Sequence, residues 1–315
     1  MKKNTYNISF SINKEYIELM LITMYSVLKN NSDAYIKFYI CHHNCFSPLE
    51  INQLIAKYSA FNEYKNNYEI ILLDMSTIST SKAIREIGIW SKDIFSKIFL
   101  PKLLPNESKI LHLDVDLIIK GSLKNTYNID LKDMLFLADN IDKSTNYFNV
   151  GFLLMNLDLM RKNQATEKLI DYINKTNEIE EKAINKLYNN KILSLKKNEV
   201  LTTSNYKKGN MDNNLKYKEF IAIHYTGSKP YYIEKSTLQF HKQSIKEYYN
   251  YAENLVNPKK IIRFHLIKIY ALYLAPTINS FYRRITKLIN KYLHKNIKTR
   301  NNFLFINFVK SISFR

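Results

Sequence analysis

Residues 109–123 read KILHLDVDLIIKGSL, an apolar run (Ile110, Leu111, Leu113, then Leu117, Ile118, Ile119) interrupted by Asp114 and Asp116. In an extended backbone, side chains at i and i+2 share a face, so the two carboxylates converge and Val115 turns into the core. Two half-buried carboxylates side by side repel each other unless a cation or a shared proton neutralises them. A divalent metal is the simplest neutraliser, and a metal held by oxygen ligands typically serves to grip phosphates. An isolated Asp-x-Asp is most often a solvated turn. The apolar residues on both sides argue against that reading here.

The segments around this strand alternate in type. Strands are expected over Asn7–Ile12, Ala34–Cys41, Tyr68–Leu73, Lys109–Leu113, Met134–Asp139, Phe148–Asn156 and the start of Ile221–Tyr231. Helices are expected over Tyr16–Lys29, Leu49–Tyr58 (opened by Ser47 and Pro48), Ser91–Leu104, Asp158–Asn174 and Glu180–Asn189. This alternation predicts an α/β fold with a mainly parallel central sheet flanked by helices. Ligands of such sheets gather beyond the carboxyl ends of the strands, where Asp114 and Asp116 stand.

Composition narrows the chemistry. The chain has 315 residues and is 46% apolar, enough for one large domain with an appendage. Only 5 glycines occur, and neither GxGxxG nor GxxxxGK is present, so a bound nucleotide is held without a glycine-rich loop. The 2 cysteines, Cys41 and Cys45, indicate no disulfide framework. They lie in CHHNC with His42 and His43, but no second ligand pair follows at zinc-finger spacing. We read that segment as a strand leaving the core. The opening MKKNTYNISFSINKEY has no sustained apolar core of the signal-peptide kind, and no uncharged apolar run reaches transmembrane length.

Charge is lopsided. Formal net charge is +19, yet residues 254–315 hold 13 Lys and Arg and no acid, leaving 34 basic against 28 acidic residues in the remainder. We therefore expect two units, 1–250 as the main domain and 254–315 as a basic C-terminal helical tail. In INSFYRRITKLINKYLHKNIK, Ile278, Phe281, Tyr282, Ile285, Leu288, Ile289, Tyr292 and Leu293 recur at helical spacing, with Arg283, Arg284, Lys287, Lys291 and Lys295 largely between them. Such a helix suits an anionic membrane surface first and packing against the protein's own core second. A nucleic-acid partner is not expected, because no nucleic-acid-binding motif is present.

A second motif, IAIHYTGSKPY (Ile221–Tyr231), ends an apolar strand in His224, followed by Gly227 and Lys229. Imidazole beside two carboxylates suits Mn²⁺ better than Mg²⁺, although Mg²⁺ remains open, and Lys229 can neutralise a phosphate. LHLDVDLIIKGSL, YFNVGFLLMNL and HYTGSKPY, in this order, resemble the retaining glycosyltransferases of family 8. That family includes lipopolysaccharide galactosyl- and glucosyltransferases and glycogenin. The resemblance spans about Asn7–Tyr231. It implies a GT-A fold, a UDP-sugar donor, and Mn²⁺ held by Asp114, Asp116 and His224. It further implies donor contacts from Val115 and Asn149, with Gly227 and Lys229 on the diphosphate.

The chain departs from the family pattern at three places. Where the family shows Asp-Asp-x-Tyr to hold uracil and ribose, this chain has Asn13, Lys14, Glu15 and Tyr16; Asn13 and Tyr16 retain a hydrogen-bonding edge and a stacking ring. The family's arginine before the Asp-x-Asp strand corresponds to Lys97, which lacks the bidentate fork. The family's Asp-Gln-Asp-x-x-Asn near the reacting sugar becomes Glu180, Glu181, Lys182, Ala183, Ile184, Asn185. Glu181 there either stabilises an oxocarbenium-like centre or marks a weakened site, and the same acids also suit a solvated helix N-terminus. The short ADNIDKSTNYFN segment offers Asp139 and Asp142 as sugar contacts, with Asn185 as a further substrate residue. These readings predict a Mn²⁺-dependent hexosyltransferase using a UDP-hexose, with a surface glycan or glycolipid as acceptor. They place it in the cytoplasm, peripheral on the inner face of the cytoplasmic membrane. The alternatives are a weakened or inactive nucleotide-sugar-binding protein of the same fold and a transferase acting on a non-lipid acceptor.

Overall fold

A computed structural model describes residues 3–43, 46–78, 92–196, 199–203, 220–226, 244 and 246–255. Seven strands form the main sheet: β1 (Asn4–Ser11), β2 (Ala34–His42), β3 (Tyr68–Asp74), β4 (Lys109–Leu113), β6 (Phe136–Asp142), β7 (Tyr147–Asn156) and β8 (Ile192–Ser194). Their order is β3-β2-β1-β4-β7-β6-β8, with β7 alone running against the rest. A second sheet, β5-β10-β9, is built from β5 (Leu117–Ile119), β9 (Val200–Thr202) and β10 (Ala222–His224). The central strands are apolar along nearly their whole length because both sheet faces are covered. One face packs against α1 (Ile17–Asn30), α2 (Pro48–Ala56) and the second sheet, through residues such as Ile8, Phe38, Leu111 and Ile223. The other lies under α3 (Leu100–Leu103), α5 (Leu157–Lys162), α6 (Ala165–Thr176) and α7 (Glu180–Tyr188), around Phe136, Leu153, Leu169 and Ile184.

Helix α1 positions the segment that carries the two aspartates. Thr23 Oγ1 lies 2.9 Å from the Val115 carbonyl and 2.8 Å from that of Leu117. Ser26 Oγ accepts the Ile119 amide at 2.9 Å, Asn30 Nδ2 donates to the Ile119 carbonyl at 2.9 Å, and Asn31 Oδ1 accepts the Leu123 amide at 2.7 Å. Steps of three and four residues put Thr23, Ser26 and Asn30 on one face of the helix. That face supplies the bonds a further strand would have given the free edge of β5. Thr23→Val keeps the shape and removes the one O–H shared by the Val115 and Leu117 carbonyls, so it should lower stability by about 1–3 kcal/mol in urea denaturation. An unchanged midpoint would show that the hydroxyl does not hold this segment.

Several expected elements are rearranged. Residues 92–103 do not form one α-helix: Lys92–Phe99 is a 3-10 helix and only Leu100–Leu103 is α-helical. Pro101 sits in the first turn of α3, where its missing N–H is tolerated, so an α-helix cannot run through it from Lys92. The helix expected over 158–174 is broken at Gln164, whose φ of 52° is left-handed, giving α5 and α6. The Arg161 guanidinium on α5 donates to the carbonyls of Pro101, Leu104 and Glu107 at 2.8–3.0 Å, satisfying the end of α3 and the turn after it. The strands β5, β8 and β9 and the turn of helix α4 (Lys124–Tyr127) were not anticipated. By contrast, the Ser47 cap is as expected, a reciprocal capping box with Glu50. Among the described residues no helix is long and apolar enough to cross a membrane. The expected basic tail lies almost wholly outside the described residues.

Candidate metal and sugar-donor site

The carboxyl end of β4 delivers Asp114, and Asp116 follows it immediately before β5. The two carboxylates do not converge along a strand, as the i, i+2 argument supposed. β4 ends at Leu113, and residues 114–116 form a tight link between the two sheets. The turn is partly open to solvent: the Asp116 side chain is 12% exposed and that of Asp114 39%. Val115 packs against the core, and its carbonyl is the one held by Thr23. The Asp114 amide donates to the Gly151 carbonyl at 2.7 Å, and the Tyr225 amide donates to the Asp116 carbonyl at 3.0 Å. β10 pairs antiparallel with β5 so that His224 stands opposite Leu117, the residue after Asp116. His224 Nε2 is therefore 3.1 Å from Asp116 Oδ1 and 3.6 Å from Asp114 Oδ2.

One oxygen from each aspartate and one histidine nitrogen lie within 4.8 Å of one another, as ligands of a single cation must. The donor set suits a divalent ion that accepts both oxygen and imidazole. Gly151 on β7 leaves room for this convergence. A Cβ there would overlap His224 Cε1 and come within 2.6 Å of Asp114 Oδ2. The residues thus fit a metal, and His224 would bind it through Nε2.

Three buried groups surround Asp114. Lys97 Nζ is 3.1 Å from Glu180 Oε1, 3.5 Å from Asp114 Oδ1 and 3.5 Å from the Val150 carbonyl. Burial opposes the lysine charge, but the carboxylates of Asp114 and Glu180 outweigh it and hold its pKa above the ordinary value. Asp114, despite partial desolvation, is held well below the usual carboxylate range by Lys97 and by His112. His112 is buried beneath it, Nε2 3.5 Å from Asp114 Oδ1 and Nδ1 3.1 Å from Ser9 Oγ. Burial and the nearby Lys97 push its pKa down to about 4, which leaves it neutral at physiological pH.

Beside this cluster, β7 runs past the end of β4, and α7 side chains take up its backbone groups. Asn185 Oδ1 accepts the Phe148 amide at 2.7 Å and its Nδ2 donates to the Phe148 carbonyl at 2.8 Å. Glu181 Oε2 accepts the Val150 amide at 3.3 Å and Asn149 Nδ2 at 3.1 Å, while Oε1 accepts the Tyr147 hydroxyl at 3.0 Å. Burial raises the pKa of both Glu180 and Glu181, against the lowering effect of Lys97 on Glu180 and of the Val150 amide on Glu181. Glu180 is only 4% exposed, which corrects the reading of these acids as a solvated helix start.

The other expected site residues are spread around this centre. Asp139, paired in register with Asn149, accepts the Thr202 hydroxyl at 2.5 Å, and burial raises its pKa. Asp142 instead caps the β6–β7 turn, accepting the Ser144 amide at 3.0 Å and its hydroxyl at 2.6 Å. Asn13 and Tyr16 follow β1, at the same sheet edge as Asp114. The Asn13 side chain caps the short helix there by accepting the Glu15 amide at 2.9 Å, and Tyr16 is 37% exposed. Gly227 and Lys229 lie outside the described residues. In the CHHNC segment, His43 Nδ1 is 2.8 Å from Asp93 Oδ1 and burial drives the Cys41 thiol up to about 12. The Asp114, Asp116, His224 set is the one candidate metal cluster among the described residues.

Sequence reasoning overlooked Gly151, His112, Tyr147 and Thr23. Gly151 carried a usable signal, a glycine inside an otherwise apolar strand, which marks a close approach. The others carried none.

Comparison with known proteins bears on the family and the fold. The sequence model of glycosyl transferase family 8 matches residues 7–235. A putative glycosyltransferase of Haemophilus influenzae is 26% identical over 192 residues, 56% of each chain. A lipopolysaccharide 1,2-glucosyltransferase of Escherichia coli is 25% identical over 264 residues, 73% of this chain and 74% of its own. The chain thus spans little more than half of the first of these relatives. The crystal structure of the galactosyltransferase LgtC with donor and acceptor sugar analogues superposes with a TM-score of 0.61. That match covers 81% of this chain and 98% of LgtC at 18% identity. The likeness shows the fold, which is GT-A. The chain belongs to glycosyltransferase family 8.

Proposed function

We propose that this family 8 glycosyltransferase moves a hexose, galactose or glucose, from UDP to a lipopolysaccharide-type surface glycan, with retention and with dependence on Mn²⁺. The observation that carries the reading is the convergence of Asp114, Asp116 and His224 near the half-buried pair of Asn149 and Glu181. A divalent cation bound by that triad supplies the positive charge that a departing diphosphate needs. Asp114 and Asp116 are kept in place by main-chain bonds to Gly151 and Tyr225, so the site needs little rearrangement to accept its ligand. Lys97 pairs with Glu180 and lies near Asp114, which leaves Glu181 to face the donor sugar. A carboxylate in that position stabilises positive charge developing at the anomeric carbon. Retention then requires attack on the face the leaving group vacates, or a covalent intermediate.

Support for the acceptor class comes from the names of the relatives, one of which is a lipopolysaccharide glucosyltransferase. Attachment to the inner face of a cytoplasmic membrane, with 1–250 as catalytic domain and 254–315 as tail, rests on the charge asymmetry of the sequence. Removing 254–315 should reduce retention on anionic liposomes at low salt. Undiminished retention would make the tail a structural element.

The direct test is UDP release from UDP-galactose and UDP-glucose with Mn²⁺ or with EDTA. Chelation should cut release by about a hundredfold or more. Release that ignores EDTA would remove the metal from the reaction. The enclosure of Lys97 between Glu180 and Asp114 favours a second reading, a weakened nucleotide-sugar-binding protein, because little of that cation is open to a donor. UDP binding without turnover on any donor would select it.

A further inference from the structure

Two adjacent carboxylates, Glu180 and Glu181, open α7 beside a single buried cation, Lys97. Glu180 takes the cation, Oε1 to Nζ 3.1 Å, and Glu181 does not. Glu181 is held instead by neutral donors from β7: the Tyr147 hydroxyl on Oε1 at 3.0 Å, and Asn149 Nδ2 and the Val150 amide on Oε2. Tyr147 and Asn149 stand two residues apart on one strand, so both side chains reach the same face, while Phe148 between them points into the core. The Val150 amide is main chain and Asn149 also accepts the Gly151 amide through Oδ1 at 3.1 Å; among the described residues the Tyr147 hydroxyl is the one donor on Oε1.

From this geometry we infer that Tyr147 is a positioning residue: its hydroxyl holds the Glu181 carboxylate away from Lys97 and turned toward the sugar of the bound donor. The inference rests on the functional reading above, in which Glu181 faces the reacting sugar. Without the hydroxyl, Oε1 loses its donor and the attraction of Lys97 is unopposed on that side. Tyr147 acts through Glu181 and does not itself touch the donor, so its removal should affect the chemical step more than donor binding.

The test compares Tyr147→Phe, Glu181→Gln and the double variant with the wild-type full chain. Donor hydrolysis and melting temperature are measured for each, with UDP-galactose and UDP-glucose as probes. Tyr147→Phe should lower kcat by about tenfold or more with less than about a twofold change in KM for the donor. In the Glu181→Gln background the same change should have little further effect on kcat, because the group it positions is gone. The melting temperatures should likewise be non-additive. Additive losses of kcat, or an unchanged kcat in Tyr147→Phe, would overturn the positioning role. Additive melting temperatures would overturn the pairing itself, whatever the activity. Wild-type protein that hydrolyses no donor, yet shows non-additive melting, would overturn the functional reading and leave Tyr147 and Glu181 as a structural pair only.

Discussion

Asp116→Ala abolishes metal-dependent nucleotide binding if the triad holds the ion. The site has little to spare. Among the described residues, two carboxylates and one imidazole are the protein ligands within reach of one point, and the Asp116 carboxylate is the closer of the two to His224 Nε2, at 3.1 Å. Removing it takes away a ligand and half of the carboxylate charge that attracts a hard cation. The loss should exceed about a hundredfold in apparent affinity for UDP with Mn²⁺, the upper range seen when a supporting group of a metal site is removed. The fold should survive, because the Tyr225 amide bond to the Asp116 carbonyl and the pairing of β5 with β10 remain when the side chain is removed. Calorimetric titration of UDP with and without Mn²⁺, alongside circular dichroism, separates the two effects. Wild-type affinity in Asp116→Ala would exclude this residue from the metal site.

Gly151→Ala should be nearly as damaging although it changes one methyl group and no charge. A Cβ at this position has no direction in which to relax. It meets the ring of His224 on one side and the Asp114 carboxylate on the other, and because the backbones of both are held by β-sheet pairing or main-chain bonds, the side chains themselves must turn. Overpacking of this kind costs about 1–3 kcal/mol. Relief requires His224 or Asp114 to move away from the other, which breaks the cation site. The expected result is a folded protein with a lower melting temperature and no Mn²⁺-dependent donor hydrolysis. A variant that melts and turns over like the wild type would mean that the close approach at Gly151 is not a feature of the working site.

The parts of this molecule that were legible in its sequence share a physical property: they are long apolar runs ended by a polar residue. β4, β7 and β10 announce themselves in that way, and Asp114, Asp116, Asn149 and His224 lie within or at the ends of those runs. The manner in which they meet was hidden. β5 and β9 have three residues each, too few to show a period, so the second sheet and the link that carries Asp116 into it could not be foreseen. The burial of Lys97 was equally invisible, because FSKIF does not reveal that the lysine lies under a carboxylate pair supplied from 17 and 83 residues further along the chain. The acids of α7 look like an exposed helix start in EIEEK, but Glu180 is drawn in by Lys97 and Glu181 by the Tyr147, Asn149 and Val150 donors of β7. The polar face of α1 is a similar case. Thr23, Ser26 and Asn30 read as ordinary interruptions of an apolar helix until β5 is placed against them.

The division of the ligands between two sheets has a thermodynamic consequence. Asp114 hangs from the main sheet and His224 belongs to the smaller one, with Asp116 on the short link between them. An ion seated on all three is a non-covalent cross-link, and it can form only when both sheets are docked. Its binding free energy is therefore added to the stability of the docked arrangement, about 2.7 kcal/mol when the free ion is at a hundred times its dissociation constant. Chelation would then loosen the small sheet before it disturbs the large one, and the heat tolerance of this protein would track the cation content of its surroundings.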